Sequence, residues 1–253
     1  MMNKFCISML MALPVAISMF VFQPTANAQL PPADRTLTVL VVSVKPDMLH
    51  EWTDLVKNEV LPALKKAGIP SVTANQTVFG NGNEFQFITP LEKMSMLDLP
   101  PALERGIGKE GAARLNEKLR KCTTSSRSYL GTRVGSMSNP PPADKTLPIR
   151  IYARYRISAG KTAEYENYFK TEVLPQYKKA GLAVSYARRG LGAQAAGEVV
   201  IMTQYENFAA LEGGPPLRKI MGEEAYNKLQ DKATGLRVPI DTIVRRHRPD
   251  LSY

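Results

Sequence analysis

The sequence predicts an α+β chain made of two tandem copies of one β-α-β-β-α-β unit, and three observations carry that reading. The stretch Asn58 to Ile69, NEVLPALKKAGI, returns as Thr171 to Leu182, TEVLPQYKKAGL. The Pro-rich stretch Pro31 to Leu37, PPADRTL, returns as Pro141 to Leu147, PPADKTL. Around these landmarks, runs of period two and runs of helical period follow one another in the same order in both copies.

Each copy opens with a strand. Leu37 to Val44 is rich in Val, Leu and Thr, and Ile149 to Ile157 alternates apolar Ile149, Ile151, Ala153 and Ile157 with Arg150, Tyr152, Arg154 and Arg156. A helix follows, with Trp52, Leu55, Val56, Val60 and Leu64 at three- and four-residue steps and a stop at Gly68; its twin carries Tyr165, Tyr168, Phe169, Val173 and Tyr177 and stops at Gly181. Pro62 and Pro175 inside these helices predict a kink or short break. Two glycine-separated strand runs come next, Val72 to Phe79 with Glu84 to Thr89, and Val184 to Arg189 with Glu198 to Thr203, both read as hairpins. A Pro-Pro pair, Pro100-Pro101 or Pro215-Pro216, precedes the second helical region at Lys109 to Lys121 and Glu223 to Lys232. The last strands are Ser128 to Val134 and Asp241 to Arg246. This order is the ferredoxin-like pattern, which leaves one sheet face without helices, and two such faces packed together bury both.

Overlaying the copies gives an offset of 110 at the start and 113 to 115 afterwards, which places a small insertion in the second copy near Ser158-Ala159-Gly160. Residues 1–28 have a secretory-signal pattern: Lys4, an apolar run from Phe5 to Phe22, and Ala26-Asn27-Ala28 as the cleavage site. We expect a mature, periplasmic or secreted chain from Gln29, with the first unit at 29–139, the second at 140–253, and no membrane segment after cleavage. Its formal charge falls from +10 to +9 on loss of Lys4, with acids and bases interspersed, which fits a soluble protein attracted to anionic surfaces and does not by itself indicate nucleic acid. Cys6 leaves with the signal, so Cys122 is the single mature cysteine, read as an inert helix thiol or an intermolecular partner. A second copy of the chain is the other partner considered.

A unit of just over 110 residues whose first helix ends in the Glu59 to Gly68 and Glu172 to Gly181 type of sequence resembles the dimeric α+β-barrel superfamily, including the antibiotic-biosynthesis-monooxygenase and NIPSNAP-like proteins. The resemblance implies a single-chain pseudo-dimeric α+β barrel, two ferredoxin-like units facing each other. For activity it implies a range: cofactor-independent oxygenases, haem-degrading enzymes, isomerases and proteins without assigned activity. The haem-degrading branch is the least similar, because Trp52 and His50 fall on the first helix and not on strands.

If Ile149, Ile151, Ala153 and Ile157 face the helices, then Arg150, Tyr152, Arg154 and Arg156 face the barrel. Their matches in the first copy are taken as Leu40, Val42 and Val44, which predicts a cavity that is apolar on one side and cationic on the other. Guanidinium groups suit a carboxylate, so the expected ligand is a small anionic or aromatic acid bound by Arg150, Tyr152, Arg154 and Tyr186. The competing reading pairs these arginines with Glu198 or Glu206, and treats Arg188, Arg189, Arg245, Arg246 and Arg248 as surface charges. His247, at the end of the last strand, is the candidate base. No metal site and no cofactor are expected: the only histidines are His50 and His247, without ligand spacing, and Gly190 to Gly197 joins two strands where a phosphate loop would open a helix. The function classes left are binding of a small organic anion, a cofactor-independent monooxygenase- or isomerase-like enzyme, and a non-catalytic structural or assembly module.

Overall fold

The computed structural model describes residues 33–142, 144–145, 147–193 and 196–253; the signal expected at 1–28 lies outside them. Eight strands form: β1 (Arg35–Val44), β2 (Thr73–Thr77), β3 (Glu84–Pro90), β4 (Thr123–Asn139), β5 (Ile149–Ile157), β6 (Ala183–Arg189), β7 (Glu198–Tyr205) and β8 (Arg237–His247). They close into an antiparallel barrel in the order β1-β3-β2-β8-β5-β7-β6-β4. Within the ring each copy keeps the ferredoxin-like order, β4-β1-β3-β2 and β8-β5-β7-β6, and the seams between copies are β2–β8 and β4–β6. The fold is therefore a pseudo-dimeric α+β barrel in one chain, and closure removes the sheet edges that two separate units would expose.

Both prolines act as the sequence predicts. Helix α1 (Leu49–Leu55) passes through a π-helical turn, Val56–Val60, into α2 (Leu61–Lys66). Helix α4 (Thr162–Tyr168) does the same through Phe169–Val173 into α5 (Leu174–Lys179). A proline has no N–H to donate and its ring crowds the carbonyl four residues back, so a wider turn just before it relieves both. Later in each copy a short helical piece meets a longer one at a glycine of positive φ: Gly108 (+75°) within α3 (Ala102–Cys122), and Gly222 (+83°) between α6 (Pro216–Met221) and α7 (Glu223–Thr234).

The structure corrects the alignment of the copies. Val44 and Ile157 end the first strands, and Val56 and Phe169 open the π turns; both pairs are 113 apart. The extra residues of the second copy thus lie before β5, not near Ser158-Ala159-Gly160. Moving the alignment by three residues, an odd number, transfers every matched side chain to the other face of the strand.

Two cores follow, one between the helices and sheet of each copy. In the first, Trp52 packs against Phe85 with ring centroids 4.6 Å apart and planes tilted by 41°, with Val42, Val44, Leu115 and fully buried Cys122 around them. Burial raises the Cys122 thiol pKa, which fits an inert thiol and removes it from intermolecular pairing. In the second, Tyr165, Phe169 and Tyr186 are fully buried together. Gly106 of α3 packs so closely on α2 that a Cβ would lie 2.1 Å from the Ala63 carbonyl oxygen. We expect Gly106→Ala to cost about 3 kcal/mol, read from chemical denaturation, because backbone on both sides must move.

Candidate functional site: the barrel interior

Strand parity fills the barrel from all eight strands and leaves a cavity of about 340 Å³. From the second copy come Arg150, Tyr152 and Arg154 of β5, together with Ser185, Ala187 and Arg189 of β6, Met202 of β7 and Arg245 of β8. The opposite wall is Leu37 and Val39 of β1 and Ile88 of β3, with Tyr129 and Arg133 of β4 beside it. Leu40, Val42 and Val44 do not line it, because the corrected alignment puts them on the helix side. The contrast between copies survives with other residues, since the partners of Arg150 and Tyr152 at the 113 offset are Leu37 and Val39.

Tyr186 is a second correction. Its neighbours Ser185 and Ala187 point into the barrel, so Tyr186 points to the helices, where its hydroxyl reaches Glu166 Oε1 at 3.5 Å. Arg188 shares that parity and is held by Glu166, Nε to Oε1 2.5 Å. Arg156 is exposed outside the lining.

Seven arginines line the space, Arg35, Arg133, Arg150, Arg154, Arg188, Arg189 and Arg245, and among the described residues no carboxylate does. Four of them, Arg154, Arg188, Arg189 and Arg245, are neutralised. Glu84 and Glu198 open β3 and β7, opposite the ends of β1 and β5. Arg245 donates to Glu84 at 2.6 Å and Arg189 to Glu198 at 2.5 Å, and both guanidinium side chains are only 3 % exposed. Arg189 also stacks 3.9 Å over the Tyr129 ring. Arg154 is held by Asp241 through two hydrogen bonds, Nε to Oδ1 at 2.6 Å and Nη2 to Oδ2; the partner is Asp241 and not Glu198 or Glu206. These bonds hold the Asp241 carboxyl below its ordinary pKa and raise that of Arg154. Arg189 and Arg245, read from sequence as surface charges, are buried; the signal for one pair was Arg189 and Glu198 flanking a single hairpin turn.

At the end where β1 and β5 begin, Arg35, Arg133 and Arg150 have no carboxylate partner among the described residues. Burial, followed by the charge of Arg35, lowers the Arg133 pKa. Nε of Arg133, Nε of Arg150 and the Tyr152 hydroxyl are buried without a hydrogen-bond partner. Tyr152 is 5 % exposed, and burial raises its pKa against the opposing pull of Arg150 and Arg245, so it stands as a neutral donor. Such a set can grip an anionic oxygen by charge-assisted hydrogen bonds and present an apolar wall to a carbon skeleton.

His247 does not line the cavity. It sits 114 residues after Arg133, on the matching strand, with Nδ1 3.1 Å from the Ala74 carbonyl oxygen. Burial first, and Arg150 second, lower its pKa, so it is neutral near pH 7 with only Nε2 available as a base. Because the folded pKa lies below the unfolded one, the unfolded chain binds more protons just below pH 6.5, and stability falls as pH drops through that region. His247→Gln should flatten this limb of a stability–pH curve measured by urea unfolding. Trp52 is buried in the first core and His50 is exposed beside Asp54 at 3.1 Å. Among the described residues neither a histidine nor a cysteine lines the barrel, while Tyr129, Tyr152 and Met202 do.

A second space lies between the helices and sheet of the first copy, about 680 Å³, lined by Leu40, Val42, Trp52, Val60, Leu64 and Phe87 with Arg120 among its polar residues. Its counterpart in the second copy is about 360 Å³, because tyrosines and Arg237, stacked 3.8 Å over Tyr155, occupy the room.

No family model matches the chain, and no curated protein matches it by sequence. Solved structures do match in fold. Two candidate monooxygenases, from Lactobacillus acidophilus NCFM and Fusobacterium nucleatum subsp. nucleatum, superpose with TM-scores of 0.56 and 0.57 at 9 % identity. The matches cover 87 % and 85 % of this chain and 96 % and 93 % of theirs. An anthrone oxidase-like protein gives 0.55 at 12 % identity, covering 86 % of this chain and 92 % of that one. These likenesses define the class, a dimeric α+β-barrel fold, and leave the activity to the site.

Proposed function

We propose that the protein is exported and binds a small organic anion inside the barrel, between its two repeated units. One observation carries this reading: three guanidiniums without carboxylate partners, and the unpartnered Tyr152 hydroxyl, converge on a cavity with an apolar wall. Arg35 is exposed at the rim, but Nε of Arg133, Nε of Arg150 and the Tyr152 hydroxyl are buried without partners, which is costly, and an anionic ligand offsets that cost while it satisfies them. The volume falls toward the lower end of small-molecule sites, roughly 300–1,000 Å³, which favours a compact acid. Native mass spectrometry of the purified protein, followed by thermal shift against a panel of aromatic and aliphatic acids, tests it. A retained acid, or a shift of several degrees with a subset of the panel, supports the reading; no ligand and no shift contradicts it.

A second reading takes the protein as a cofactor-independent monooxygenase- or isomerase-like enzyme of the antibiotic-biosynthesis-monooxygenase or NIPSNAP-like branches. The names of the fold neighbours and the apolar space of the first copy favour it. Oxygen consumption or product formation with an apolar aromatic compound, abolished by Val42→Tyr, which installs the residue of the second copy, would favour it over the barrel. If neither cavity takes a ligand, the non-catalytic assembly module remains.

A further inference from the structure

Resting on the barrel reading, the geometry points to a ligand with two carboxylates, one on each wall. Arg35 and Arg133 are direct partners across β1 and β4. Like charges directly opposite repel, and neither is ion-paired with an acid among the described residues, so exposed Arg35 and half-buried Arg133 form a cationic pair at the rim of the cavity that a single carboxylate would bridge. Arg150 comes from the facing wall, since β5 lies halfway round the ring from β1. Its Nε is unpartnered, and the Tyr152 hydroxyl one step down the strand is too. Between the two walls Val39 and Met202 give the lining apolar surface, beside the uncharged polar Gln86, Ser185 and Gln204. A monocarboxylate satisfies one wall and leaves the other uncompensated. A dicarboxylate with a short carbon body satisfies both, whereas a compact dianion such as phosphate does not span them.

Titration calorimetry of the full protein tests this, with succinate and isophthalate set against butyrate and benzoate, and inorganic phosphate as a control for charge. We expect each dicarboxylate to bind at least tenfold more tightly than its monoacid, and Arg133→Gln or Arg150→Gln to erase that difference. Arg156→Gln, an exposed residue outside the lining, should leave it unchanged. Arg133→Gln should also melt higher than the parent without ligand, because it removes the repulsion from Arg35; a lower melting temperature would contradict the strained pair. Equal affinity for mono- and dicarboxylates, phosphate binding as tightly as isophthalate, or an equal loss in Arg156→Gln overturns the two-headed ligand and leaves the barrel reading standing. Failure of every acid to bind overturns the barrel reading itself.

Discussion

Glu198→Gln should destabilise the protein by about 3–5 kcal/mol, the effect of leaving one buried partner of an ion pair without the other. Both side chains are buried, and the Glu198 carboxylate accepts from Arg189. With glutamine there, the Arg189 guanidinium has lost its counter-ion. For a chain of this size that corresponds to a melting temperature roughly 10 °C lower. The pair itself is not a large source of stability, since two charges taken from water offset much of their attraction. The double variant Arg189→Met with Glu198→Leu should therefore recover most of the loss in the same melts. A single variant within about 1 kcal/mol of the parent would show that water reaches this end of the barrel.

Arg150→Gln should weaken binding of an organic acid by about 10- to 100-fold, the range expected for losing a hydrogen bond to a charged group, roughly 1.5–3 kcal/mol. Arg150 holds no carboxylate among the described residues, so the change removes no internal pair and should leave the melting temperature within a few degrees. Tyr152→Phe keeps the ring under Arg245 and removes only the hydroxyl, so its expected loss is several-fold. Calorimetric titration of both variants, with melting curves alongside, separates a binding residue from a structural one. A loss of binding that tracks a loss of stability would assign Arg150 to the scaffold.

Much of the fold was legible because the duplication repeats its punctuation. Gly68 and Gly181 end the paired helices, and Pro62 and Pro175 each follow a π turn. The parity of β5 was also legible, since Arg150, Tyr152 and Arg154 alternate in sequence with apolar Ile149, Ile151 and Ala153. The parity of β1 was not, because Thr36 to Val44 is apolar on both faces and an alignment slip of three residues is invisible there. Tyr186 went to the wrong face for a related reason: β6 mixes small and aromatic residues, and only the neighbouring strands decide which side is core. One of the buried ion pairs joins residues far apart in sequence. Arg245 and Glu84 are 161 residues apart and sit on β8 and β3, strands that are not neighbours in the ring. Arg133 was missed because it lies on β4, whose alternation of Tyr129, Gly131 and Arg133 offers no apolar contrast.

The central claim, that the barrel interior and not the helix-side space holds the ligand, is tested most directly by a crystal of the protein soaked with 5-iodoisophthalate, an aromatic dicarboxylate whose iodine can be located by anomalous scattering. Iodine inside the barrel, with the carboxylates on Arg133 and Arg150 and an oxygen within hydrogen-bond reach of Tyr152, is the predicted result. Iodine in the space beneath Leu40 and Trp52, with none inside the barrel, would contradict it.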